Sequence, residues 1–151
     1  LRSTLVLPLE PRQQALLNDM VLAFAESLSE FRSRPVGRRD AQGLLDLLLL
    51  EPENPRALIY QVDRLLEHAE TLPRLDPGER LPEYARHLEQ ARSRLRMALA
   101  TEWIEPEHPR RARLDTFLAE EQRELAAAYQ GLFAHFLAPA PTLPLVGRER
   151  A

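Results

Sequence analysis

The sequence predicts an all-α protein, an antiparallel bundle of about five helices, and three observations carry that expectation. Leu occurs 30 times and Ala 19 times among 151 residues, whereas Val, Ile and Thr together supply only 12, so side chains that favour helices far outnumber those that favour strands. The 13 Pro fall in clusters near 8–11, 35, 52–55, 73–82, 106–109 and 139–144, and five stretches between them contain no Pro to break a helix. In four of those stretches the apolar residues recur at three- and four-residue steps, the period of a helix that buries one face.

The first stretch, about Arg12 to Arg34, carries Leu16, Leu17, Met20, Val21, Phe24, Leu28 and Phe31 and reads as one long helix with a single apolar stripe. The second, about Asp40 to Leu50, has apolar residues on nearly every side and reads as a central helix enclosed by neighbours. The third is expected to start with Asn54 as N-cap and Pro55 at the first helical position, where a missing N–H costs nothing. Its buried stripe is Leu58, Ile59, Val62, Leu65, Leu66 and Ala69. A turn built on Asp76, Pro77 and Gly78 precedes the fourth, which opens near Pro82 with Tyr84, Leu88, Leu95, Leu99 and Trp103 inward. The fifth runs from about Pro109 to Leu137 with Leu114, Phe117, Leu118, Leu125, Tyr129, Leu132, Phe133 and Phe136 inward. One bundle domain with a single core therefore spans residues 1–137, Leu1 to Leu9 reading as the end of an earlier helix, and 138–151 reads as a disordered tail.

Composition excludes several kinds of chemistry. Twenty basic residues, all Arg, against 23 acids give a net charge of -3, which lacks the broad positive field of a general nucleic-acid binder. The longest apolar run, Leu47 to Leu50, is far short of the ~20 residues of a membrane span. Without Cys there is no disulfide, thiolate metal site or cysteine nucleophile, and a reducing, cytoplasmic setting is expected. His68, His87, His108 and His135 do not pair at helical spacing, and only Glu105 and His108 match a Glu-x-x-His motif, so no metal is expected. Five scattered Gly form no phosphate-cradling loop and the five Ser no nucleophile elbow, so no cofactor is expected.

Arginine is the suggestive element. Arg92, Arg94 and Arg96 lie close together on the fourth helix, and Arg110, Arg111 and Arg113 crowd the start of the fifth, where the helix dipole disfavours positive charge. Pairing with Glu105, Glu107, Asp115, Glu120 and Glu121 is the first expectation for such surface charges. The functional alternative is a secondary anion or acidic-partner patch, since Arg forks match carboxylate and phosphate geometry. On the third helix Arg56, Tyr60, Asp63 and Glu67 share one polar face, and Gln61, Arg64 and His68 an adjacent one. Such a face serves either a polar ligand or partner, or a hydrogen-bonded lock between helices.

The segment Leu47 to Leu50, Glu51, Pro52, Glu53, Asn54, Pro55, Arg56, Gln61, Asp63, Arg64 and Leu65 resembles the Alpha-E family, in which a Leu-rich helix leads through an acidic-Pro-acidic-Asn-Pro-Arg turn into a helix with a Glu-Arg motif. Asp63 stands where that pattern has Glu. Phe31 to Pro35 and the last helix are similar in character to the same family. The resemblance implies a C-terminal half of a longer helical domain, associated with circularly permuted ATP-grasp enzymes and transglutaminase-like proteins in an amide-ligating system. It makes an accessory or substrate-presenting partner of an ATP-grasp amide ligase the leading functional expectation, with Arg56, Tyr60, Gln61, Asp63 and Arg64 as contact residues. Two alternatives stand beside it. One is an enzyme completed by the missing half, in which Arg64 positions an anion and Asp63 acts as acid or base. The other is a homodimerisation module using exposed leucines of the second helix.

Overall fold

The computed structural model describes residues 10–73, 78, 81–104 and 108–137, and among these every regular element is helical. In chain order they are α1 (Pro11–Phe24), α2 (Leu28–Ser33), a 3₁₀ turn (Val36–Arg38), α3 (Ala41–Leu45) running into a π-helical turn (Asp46–Leu50), α4 (Leu58–Thr71), α5 (Glu83–Met97), a second 3₁₀ turn (Ala100–Trp103) and α6 (His108–Phe136). The helix end expected at 1–9, the tail expected at 138–151 and the turn at 74–77 lie outside the described residues.

The expected first helix is two helices. Its start holds, with Pro11 in the first turn and Gln13 Oε1 accepting the Glu10 N–H at 3.3 Å. After Phe24 the Ser27 N–H reaches the Leu22 carbonyl at 2.9 Å and the Glu26 N–H the Ala23 carbonyl at 3.0 Å, the two bonds of a Schellman motif. Glu26 takes the left-handed position of that motif at φ 52°, a place where Gly is the usual occupant, so the stop carries no glycine signal. The break also alters the apolar stripe. Leu22, Val21 and Phe31 are buried, whereas Leu16, Met20 and Phe24 are 58–84% exposed along one side of α1.

The Leu-rich stretch is enclosed as expected, Leu44, Leu45, Leu47, Leu48 and Leu49 all being buried. Those leucines therefore offer no exposed face for pairing between chains. Asp40 caps α3 by accepting the Gly43 N–H at 2.8 Å. Asn54, expected as an N-cap, instead braces the preceding stretch. It is 1% exposed, donates Nδ2 to the Leu47 carbonyl at 2.7 Å and accepts the Arg56 N–H at 3.0 Å. The Asn-Pro-Arg segment is thus a turn that fastens the π-helical stretch, and α4 begins three residues later, after Ala57.

Helices α4, α5 and α6 form the antiparallel centre. Asp63 of α4 meets Arg92 and Arg96 of α5, and along α5 and α6 residue 84 meets 136, 87 meets 124 and 94 meets 121, so the chain reverses at each connection. Buried Ile59, Val62, Leu66 and Ala69 on α4 face Tyr84, Leu88, Ala91 and Leu95 on α5. The core is two clusters rather than one. The other joins Val21, Leu22, Phe31 and the Leu-rich stretch to Trp103 and Leu114, and partly buried Leu50, Leu58 and Phe117 bridge the pair. Leu99, inward by the helical period, is exposed, because α5 stops at Met97 and extended backbone at Leu99 breaks that period. Leu65, Tyr129 and Phe133 are likewise exposed. On α6 the inward seats follow the 114, 118, 121, 125, 128, 132 register, which leaves 129 and 133 on its flank.

Candidate functional site

The residues expected to make contacts cluster around α4, but they face in different directions. Arg56, in the turn before the helix, reaches back to Glu26 and ties the strained α1 cap to that turn. Gln61 donates Nε2 to the Pro55 carbonyl at 2.6 Å and braces the same turn. One helical turn apart, Tyr60 and Arg64 stack, the guanidinium lying 5.5 Å from the ring centroid with Nε donating to the Tyr60 hydroxyl at 3.3 Å. Arg64 is also paired with Glu67, and the Tyr60 hydroxyl followed by Glu67 holds its pKa above the ordinary arginine range. Asp63 turns the other way, toward α5. Arg96 Nη2 donates to both its carboxylate oxygens at 3.3 and 3.4 Å, and Arg92 Nη1 lies 3.9 Å away.

The outer surface of α4 is therefore a convex, exposed strip of mutually paired charges, and the Asp63 side is a groove. Arg64 and Asp63 are neighbours in sequence but serve separate networks, so an anion-positioning arginine beside an acid or base is not assembled from this pair.

Arg92 and Arg94 of the α5 cluster are paired too. Arg92 binds Glu89 one turn earlier, with Nη2 to Oε1 at 2.6 Å. Arg94 points into the α5–α6 seam, where Nε donates to Glu121 Oε1 at 2.7 Å and Nη1 lies 3.6 Å from Glu124. His87 completes this chain, Nδ1 sitting 2.6 Å from Glu124 Oε2. Glu121 is 2% exposed, and burial pushes its pKa up against the opposing pull of Arg94. Among the described residues, Arg94 Nη2 and Glu121 Oε2 are buried without a hydrogen-bond partner. Sequence reasoning offers Glu121 as a surface partner for arginine and misses that it is buried against Arg94 between two helices, although a signal exists. Glu121 occupies a seat in the heptad register of α6 whose other members are Leu114, Leu118, Leu125, Ala128 and Leu132, and an acid in that seat needs a buried partner.

Of the expected anion patch, Arg110 and Arg111 have side chains outside the described set. Arg113 is exposed and lines a shallow cleft of about 350 Å³ with Thr116 and Glu120 beside the Trp103 and Phe117 rings, which touch at a tilt of 41° with centroids 4.7 Å apart. Among the described residues no group of three His, Asp or Glu is placed to hold a metal ion, and no helix is long and apolar enough to cross a membrane.

Comparison with known proteins gives the family and no activity. Residues 1–137 match the model of the Alpha-E family, described as a predicted alpha-helical domain with a conserved ER motif. Within the matched span a Glu-Arg dipeptide occurs at Glu79–Arg80, outside the described residues, while positions 63–64 carry Asp-Arg. Uncharacterised proteins of Mycobacterium bovis and of two Mycobacterium tuberculosis strains are each 29% identical over 132 residues, covering 87% of this chain. The chain spans about 14% of the length of those relatives. No solved structure matches it significantly. On a family-model match that takes in nearly the whole chain, the protein belongs to the Alpha-E family of helical domains.

Proposed function

We propose that the domain is an accessory module that docks a partner protein and presents substrate to it, an ATP-grasp-type amide ligase of the cytoplasm being the partner that the family resemblance implies. One observation carries this reading. On the outer strip of α4 and the turn before it, the charged side chains are exposed and ordered in advance by one another, as Arg56–Glu26 and Tyr60–Arg64–Glu67, instead of converging on a point where a substrate could react. A surface of this kind favours protein recognition, because fixed charges on a rigid helix steer a complementary partner and set its register. Restrained side chains also lose less entropy on docking.

The test is pull-down and association kinetics with the companion ligase. The double variant Arg56→Glu with Arg64→Glu is expected to slow association by about tenfold at low salt, with the difference shrinking as salt screens the charges. Its thermal stability should stay within about 0.5 kcal/mol of the wild type, since both arginines are surface residues. A ligase that neither binds the wild-type chain nor changes its kinetics on adding it removes the reading.

A further inference from the structure

The groove on the Asp63 side of α4 has a composition that the outer strip lacks. Its volume is about 380 Å³, at the small end of the ~300–1,000 Å³ that small-molecule sites span. The floor is aliphatic, made by Leu50, Ile59, Leu95 and Ala98, and the rim carries one carboxylate, Asp63, beside one guanidinium, Arg96. Leu50 is the last residue of the π-helical turn that Asn54 holds in place, and π-turns recur at ligand sites because they re-aim the chain without ending the helix.

The rim charges keep binding capacity. The contact between them uses a single nitrogen, Nη2, at 3.3 and 3.4 Å, longer than the 2.7–2.9 Å of a strong charged hydrogen bond. Among the described residues the Nε and Nη1 donors of Arg96 have no partner, and Asp63, which also has Arg92 Nη1 at 3.9 Å from Oδ1, beyond hydrogen-bond reach, accepts one long hydrogen bond at each oxygen and keeps a lone pair on each. A ligand that brings both charges satisfies both groups at once, whereas a simple anion would meet Asp63 and a simple cation would meet Arg96. An apolar side chain on such a ligand would cover the aliphatic floor.

We infer that the Asp63–Arg96 groove binds the zwitterion of an aliphatic α-amino acid, with the ammonium on Asp63, the carboxylate on Arg96 and the side chain on Leu50, Ile59, Leu95 and Ala98. This deepens the substrate-presenting reading and rests on it for its use, since a free amino acid is a building block that an amide ligase joins. The binding step needs no other molecule.

The experiment is calorimetric titration of the 151-residue chain with L-leucine, with nitrogen-edited NMR to locate the site. L-leucine is expected to bind at about 1 mM or tighter and to shift the amides of residues 50, 59, 63 and 96. Leucinamide, which lacks the carboxylate, and 4-methylpentanoate, which lacks the ammonium, should each bind about tenfold more weakly or worse, as should L-leucine to Arg96→Gln and to Asp63→Asn. Melting curves establish that both variants fold. No binding up to about 10 mM, equal binding of either truncated analogue, or L-leucine binding unchanged in Arg96→Gln would overturn the inference. Ligase pull-down is read separately. L-leucine silent with ligase retained removes the amino-acid site and leaves docking standing, and L-leucine bound with ligase lost upholds the site and removes docking.

Discussion

Glu26 holds a backbone conformation that suits it poorly. A φ of 52° puts a Cβ against the following carbonyl, and the Schellman bonds at Ser27 and Glu26 hold the residue there. The Arg56 pair adds a side-chain restraint, but both partners are solvated and the pair contributes a few tenths of a kcal/mol. Glu26→Gly should therefore raise stability by about 0.5–1 kcal/mol, the relief of strain exceeding the lost pair and the added freedom of the unfolded chain. Glu26→Ala keeps the strain and loses the pair, so it should be slightly less stable than the wild type. Urea unfolding of the two variants checks the opposite signs, and a loss of stability in Glu26→Gly would show that the Arg56 pair, and not the backbone, decides this corner.

At the scale of elements, the π-helical turn depends on a side chain from outside it. A π-turn shifts the hydrogen-bond ladder by one residue, and Asn54 Nδ2 supplies the donor that the Leu47 carbonyl takes. Asn54→Ala leaves that carbonyl and the Arg56 N–H without their partner and should cost about 2–3 kcal/mol, read as a lower urea midpoint at unchanged slope. Asn54→Asp should cost at least as much, because it keeps the acceptor for Arg56 but sets a buried negative charge against the Leu47 oxygen. The same residue shows what is legible in the sequence. Leucine and alanine abundance, proline spacing and helical periodicity suffice for the class, for the enclosed second stretch and for the start near Pro82, since each is a local or compositional property. Asn54 before Pro55 also carries a true local signal, that a turn is made there. Its partner, seven residues upstream, depends on where the Leu-rich stretch packs, and that is a tertiary fact. The α1 stop is hidden for a related reason, Glu standing in the glycine seat. Of the candidate site, the residues around α4 are identifiable by type and spacing, but the direction each faces is not, because Asp63 and Arg64 differ by one residue and therefore by about 100° around the helix.

The whole molecule is organised by the α5–α6 seam, and the seam is tight at one end and charged in its middle. At the tight end Gly131 lies against Tyr84, so close that an added Cβ would sit 3.2 Å from the Tyr84 Cβ. In the middle, Arg94 and Glu121 replace hydrocarbon. Removing one partner strands the other, so Arg94→Ala should cost about 3 kcal/mol, the low end for a buried pair because Arg94 keeps some contact with water. The paired variant Arg94→Met with Glu121→Leu should recover most of that loss, and thermal melts of the single and double variants test the difference. Acidity gives a sharper measurement. Burial raises the Glu121 pKa in the fold above its unfolded value near 4.5, so the folded protein holds this proton more tightly than the unfolded chain does. That contribution to stability is complete below about pH 4.5 and is lost as pH climbs through the folded value, the unfolded chain releasing its proton first. Glu121→Gln cannot titrate and keeps a side-chain oxygen for Arg94 Nε, so it removes this slope. The melting temperature of Glu121→Gln minus that of the wild type should accordingly become more positive from pH 4 to pH 7. A difference that instead falls with rising pH would mean that the attraction of Arg94 outweighs burial, and that the seam is held by an ionised pair whose charge the fold favours.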